Sequence, residues 1–124
     1  MSFVRRIPVP VVCDGSGNAT VYSDPISAGQ ISHIVYQKGT MGATPTFTLT
    51  AEATGETIWS ESNVAANAVR APRQPTHNSA GAAALFAAGG TGVNDKIALA
   101  NDRVKIVISG GGAGGTATFH IVLV

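Results

Sequence analysis

Residues 45–53 read PTFTLTAEA. Apolar and polar side chains alternate: Phe47, Leu49 and Ala51 fall on one face, Thr46, Thr48 and Thr50 on the other. A period of two is that of a β-strand with one face buried. Threonine suits the open face because it is β-branched yet polar. The chain then runs into ATGET (53–57), where Thr54-Gly55 signals a tight turn, so the strand is expected to fold back on itself as a hairpin. Glu52 and Glu56 flank that turn as solvated charges.

The same period recurs elsewhere. RVKIVIS (103–109) puts Val104, Ile106 and Ile108 inward, and TATFHIVLV (116–124) does the same with Ala117, Phe119, Ile121 and Leu123. Further strands are expected at 3–12, 18–24, 30–38, 56–60 and 95–99, separated by turn signals such as DGSGN (14–18) and QKGTMGATP (37–45). About eight short strands of this kind predict an all-β fold, an antiparallel β-sandwich or barrel. At 124 residues the chain suits a single domain, read as 1–124. Residues 62–95 break the pattern with alanine, glycine and small polar residues. Pro72 and Pro75 prevent a long helix there, while Ser79 is placed to cap a short one near 79–88 that ends at Gly89-Gly90. A long ordered loop is the alternative, and in either form Leu85 and Phe86 are expected to be buried.

Composition narrows the function. Apolar residues make up 44% of the chain and charged residues 12%, with a formal net charge of +1. Average chains carry about 25% charged residues, so this surface is poor in charge and weakly protected against association. No broad basic field exists to hold a nucleic acid. Cys13 is the one cysteine, so neither an internal disulfide nor a cysteine-based zinc site is expected, and it reads as a small apolar side chain. The opening MSFVRRIPVPVVCDG faintly mimics a signal peptide, but its apolar run is short, holds two prolines and lacks a cleavage pattern. No run approaches the ~18 apolar residues of a membrane helix. The reading is a soluble chain made in the cytoplasm, without a membrane partner or a cofactor.

ISGGGAGGTATF (108–119) contains a literal G-x-G-x-x-G at Gly110, Gly112 and Gly115. A dinucleotide site needs a helix after such glycines, so that its N-terminus meets the pyrophosphate. Here a strand follows and the loop holds no lysine, so a flexible hairpin tip is expected instead. His33, His77 and His120 lack metal-ligand spacing, although folding can bring His33 near His120. Neither H-E-x-x-H nor G-x-S-x-G occurs. Asp14, Asp24, Asp95 and Asp102 sit at turns, where aspartate bonds its own backbone. No catalytic, cofactor-binding or metal-binding residue is assigned, and the chain is not expected to be an enzyme.

The residues that suggest contact with a partner lie elsewhere. In VRAPRQPTH (69–77), Arg70 and Arg73 flank Pro72 on a stiffened backbone that sets their reach. In RRIPVP (5–10), Arg5 and Arg6 precede Pro8 and Pro10, which lack amide hydrogens on one edge of the strand. Residues 1–12 therefore belong at a sheet edge or in an extended arm, with Phe3 as its apolar start. Trp59 follows Ile58 and so faces the opposite way in a regular strand. It is either an exposed anchor or a core residue with Ile58 outward, unless both are covered.

The run GQISHIVYQKG…PTFTLTAEATGETIWSES…VRAPRQPTHNSAGAAAL…NDRVKIVISGGGAGGTATFHIVLV resembles small all-β structural proteins of tailed bacteriophages, in particular those that decorate or cement the capsid. The likeness covers the chain from about Gly29 onward. It implies a virion component that binds the capsid lattice, often as an oligomer; the reading adopted is a homo-oligomeric protein on the capsid exterior that binds the major capsid protein and stabilises the shell. A tail or fibre module that binds carbohydrate or a receptor is the alternative, and it requires an exposed aromatic platform on Trp59, Tyr22 or Tyr36.

Overall fold

The computed structural model describes residues 4–124, so Phe3 lies outside the described residues. Eleven strands follow in order: β1 (Arg5–Val12), β2 (Ala19–Tyr22), β3 (Ile26–Lys38), β4 (Thr46–Ala51), β5 (Thr57–Ser62), β6 (Ala68–Arg70), β7 (Arg73–Pro75), β8 (Asn94–Lys96), β9 (Ala98–Asp102), β10 (Val104–Ser109) and β11 (Thr116–Leu123). The front sheet has the order β1-β11-β3-β6, with β9 also pairing β3; the back sheet has the order β2-β10-β4-β5. All pairings are antiparallel, and the curled sheets form a half-barrel of the sandwich type that the alternation predicts.

The alternating strands meet in the middle. Phe47, Leu49 and Ala51 from β4, Val104, Ile106 and Ile108 from β10, and Phe119, Ile121 and Leu123 from β11 are all buried. Tyr36, Phe47, Trp59 and Phe119 stack into one cluster with ring centroids 4.7–6.0 Å apart. Predominantly edge-on geometry of this kind suits aromatic rings in contact. The sheets are joined where β2 leads into β3 and β9 leads into β10. There the buried Ser23 donates its amide to the Val104 carbonyl at 2.9 Å, and its Oγ accepts the Val104 amide at 2.9 Å. Asp102 Oδ1 accepts the amides of Ala53 and Arg103, at 2.9 and 2.8 Å.

Three expectations change. Thr54-Gly55 does turn β4 onto β5, but the glycine run is no hairpin tip: β10 belongs to the back sheet and β11 to the front, so the loop crosses between them. It is also packed at two of its glycines, Gly111 and Gly115. A Cβ on Gly111 would lie 2.5 Å from Met41 Sδ and 2.8 Å from Cys13 Sγ, and one on Gly115 would strike the Gly111 carbonyl oxygen.

Second, no helix forms among the described residues, near 79–88 or elsewhere. Asn78 Oδ1 takes the amides of Ala80 and Ala82, at 2.9 and 3.0 Å, and Gly81 adopts φ 84°. Both steps divert the backbone from a helical turn. Third, Leu85 and Phe86 are exposed rather than buried.

The 73–96 segment is instead a junction of three short hairpins. β7 and β8 form the stem. Beyond it, the Thr76 amide bonds the Val93 carbonyl at 2.9 Å, the Val93 amide bonds Ala84 at 3.0 Å, and the Ala84 amide bonds Thr76 at 2.9 Å. This ring of bonds splits the chain into one branch turning at Asn78–Ala82 and another turning after Phe86, whose amide bonds the Thr91 carbonyl at 3.0 Å. No residue from Arg73 to Lys96 is buried. Backbone pairing, not a core, holds this arm.

Candidate interaction surface

The two outer faces of the sandwich differ in chemistry. Register places Pro8, His120, Val35 and Val69 in one row across the front sheet. The neighbouring rows carry Arg6, Val122 and His33 on one side and Pro10, Thr118 and Gln37 on the other. Val69 and Val12 are 59% and 68% exposed. No carboxylate stands in these rows. Across the back sheet the matching row is Thr20, Val107, Thr48 and Ser60, flanked by Tyr22, Lys105 and Thr50 and by Ser109, Thr46 and Ser62. Half of these front-face residues are valine or proline, whereas eight of the ten on the back face carry a hydroxyl.

The N-terminal candidates belong to the front face. β1 pairs β11 along its whole length, so residues 5–12 form an edge strand rather than a free arm. Because that pairing is continuous, the missing amides of Pro8 and Pro10 fall on the open edge, where they blunt the addition of a further strand. Contact through this strand is therefore side-chain contact, not backbone pairing. Arg5 Nη2 bonds the Ala28 carbonyl. Arg6 Nη1 donates to His120 Nδ1 at 2.8 Å, which leaves the ring proton on Nε2 to meet Gln37 Oε1 at 3.1 Å.

The 69–77 arginines are not free hooks. Arg70 forks onto Glu61 through Nε and Nη2, at 2.8 and 2.9 Å, and lies 5.9 Å from the centre of the Trp59 ring. Trp59 Nε1 donates to the same carboxylate at 2.9 Å. The Arg70 fork, with the indole donor second, holds the Glu61 carboxyl down to about 2. Arg73 Nη1 bonds the carbonyls of Ser32 and Pro72 at 3.0 and 2.9 Å and reaches Ile31 at 3.4 Å. β3 bulges at Ser32, so this guanidinium serves carbonyls that a regular ladder would have used.

Trp59 is 6% exposed and offers no platform. The pairing of β5 slips between Leu49 and Thr50, making Ile58 an extra residue, and this bulge lets Ile58 and Trp59 both turn inward. Tyr36 is also buried, and the Arg103 guanidinium covers the Tyr22 ring at 4.0 Å. Of the three aromatics that a sugar platform requires, Trp59 and Tyr36 are closed, and Tyr22, 40% exposed, has one ring face taken by Arg103.

The glycine loop uses its amides internally: Gly111 on the Gly17 carbonyl at 2.9 Å, Gly114 on Asp14 at 3.0 Å and Gly115 on Gly112 at 3.1 Å. Asp14 Oδ1 in turn takes the amides of Ser16 and Asn18, which lower its carboxyl. His33 and His120 share the front face on adjacent strands, but His33 bonds Ser32 while His120 bonds Arg6 and Gln37. Among the described residues no cluster of three metal-ligating side chains occurs. No known family model, curated protein or solved structure matches this chain.

Sequence reasoning did not single out Val35, Val69, Val122 or Phe86 as outward-facing apolar residues. The signal for the valines lay in register, which only strand pairing supplies. For Phe86 it lay in composition: no charged residue stands between His77 and Asp95.

Proposed function

We propose that this chain is a structural protein that docks by its front sheet on a protein shell and stabilises it, the capsid-decoration role that the sequence resemblance implies. The observation that carries this reading is the contrast between the outer faces. Covering valine and proline removes apolar surface from water, worth about 25 cal/mol per Å². The front face opposes this with few charges to desolvate, and Arg6 sits beside His120, available to a carboxylate of the partner. The hydroxyl-rich back face suits solvent. A protein that binds the assembled shell more tightly than its free subunits stabilises the shell by mass action.

The test is co-sedimentation of the purified protein with shells of the candidate major capsid protein. Saturable binding at a fixed ratio to capsid subunits, with a higher shell melting temperature, is the expected result. Absence of binding at saturating protein would sink the proposal. The tail or fibre alternative gains no support from Trp59 or Tyr36, which are buried, and keeps only Tyr22, with one ring face under Arg103.

A further inference from the structure

We infer that copies of this chain associate head to tail, Phe86 of one copy seating in the groove over the start of β11 in the next. This goes beyond the docking proposal and does not rest on it, since the contact joins two copies in the absence of a shell. Two unsatisfied features on one molecule carry it. The first is the knob. Phe86 is 76% exposed at the end of a hairpin branch, with Leu85 beside it at 43%. The branch is fixed by the bond from the Phe86 amide to the Thr91 carbonyl and by the Leu85–Gly92 bridge. Its ordering is therefore already complete before any partner arrives, which lowers the entropic cost of binding.

The second feature is the hole. A groove of about 410 Å³ runs along the front face between β1 and β3. Thr116 and Thr118 of the central strand line it together with Pro10 and Val12 on one flank and Gln37 and Gly39 on the other. It is large enough for a benzyl side chain. Charge presents no obstacle. The arm is uncharged from Asn78 to Asn94, and the one charged lining residue, Lys38, turns its Nζ to the Ala65 carbonyl at 3.1 Å.

The arm that carries the knob is also rooted away from the hole. Arg73 anchors the arm against Ile31 and Ser32 of β3, while the groove lies at the Gln37–Gly39 end of the same strand, roughly 20 Å away at about 3.3 Å per residue. Phe86 does not occupy its own groove, and unlike surfaces at separate places generate heterologous contacts that close into rings or continue as chains. One aromatic knob gives a small interface, so the free protein should associate weakly, with a dissociation constant on the order of 0.1–1 mM.

Sedimentation equilibrium of the full chain up to ~1 mM, without any capsid component, tests this. Wild type should self-associate. Phe86→Ser, which removes the knob, and Thr118→Arg, which fills the groove, should each weaken association about tenfold or more while keeping the wild-type melting temperature. An equimolar mixture of the two variants should recover a dimer and nothing larger, because the intact Phe86 of one meets the intact groove of the other. A wild-type protein that stays monomeric at the highest concentration would overturn the inference. So would either variant associating like wild type, or a mixture that recovers no dimer. Thr118 also lies on the front face that docking uses, so the two readings are separated with Phe86→Ser, which leaves that face intact. Failure of self-association does not decide shell binding, and failure of shell binding does not decide self-association.

Discussion

Glu61 is about one-third exposed, yet it organises two neighbours: the Arg70 fork and the Trp59 indole donor. Its carboxyl ordinarily titrates at 4.5 and is held down to about 2 in the fold. The charge therefore stabilises fully above the unfolded value and ceases to do so as pH falls through about 2. Glu61→Gln keeps an acceptor for Trp59 and removes the charge together with one acceptor of the Arg70 fork. We expect a loss of about 0.5–1 kcal/mol at pH 7, shrinking to nothing near pH 2, as read by urea denaturation across that range. Tyr36 presents the opposite case. Its hydroxyl is buried without a hydrogen-bond partner, and burial pushes the phenol up. Tyr36→Phe should raise stability by about 1 kcal/mol, since an unpaired buried polar group costs more than its removal. A drop in melting temperature would mean that the hydroxyl makes a bond. Adjacent Ile58 and Trp59 show where residue-level reading stops: alternation allows one of them inside, and only the slip in pairing against β4 admits both.

β4, β10 and β11 were legible because each buries one face against the core, and that burial imposes a strict period of two on the sequence. β6, β7 and β8, each of three residues, carry no such imprint, because backbone pairing at the sheet margin and in the arm does not select side chains by face. The alanine-rich arm reads as a helix by propensity, whereas Asn78 and Gly81 divert it locally. β1 reads correctly as an edge from its prolines, but it is not expendable. Val9 and Val11 are core residues, so deleting residues 1–10 removes Val9 and uncovers β11. That truncation should cost about 3 kcal/mol or more from the lost valine and the exposed neighbours and yield an aggregation-prone chain, measured by melting temperature and light scattering. Replacing 77–92 with an Asn-Gly turn between β7 and β8 should shift the melting temperature by only a few degrees at most, since no residue there is buried. A large loss would assign the arm a role in the core.

At the scale of the molecule, low charge was the informative part of the composition, and pairing turned it into geography. The sequence placed candidate contacts on arginines. The fold uses Arg70 and Arg73 internally and leaves exposed two other candidates, Pro8 and Pro10, together with Val12 and Val69. Which residues share an outer face depends on long-range register between β1, β11, β3 and β6, and nothing local in the chain encodes that register. The most direct measurement is the binding of two lysine variants to capsid shells, compared side by side with wild type. Val69→Lys places a charge in the central row of the front face, and Thr48→Lys places the same charge in the central row of the back face. Docking through the front sheet predicts that Val69→Lys binds about tenfold or more weakly while Thr48→Lys binds like wild type. Equal binding by both variants, or selective loss with Thr48→Lys, would contradict it.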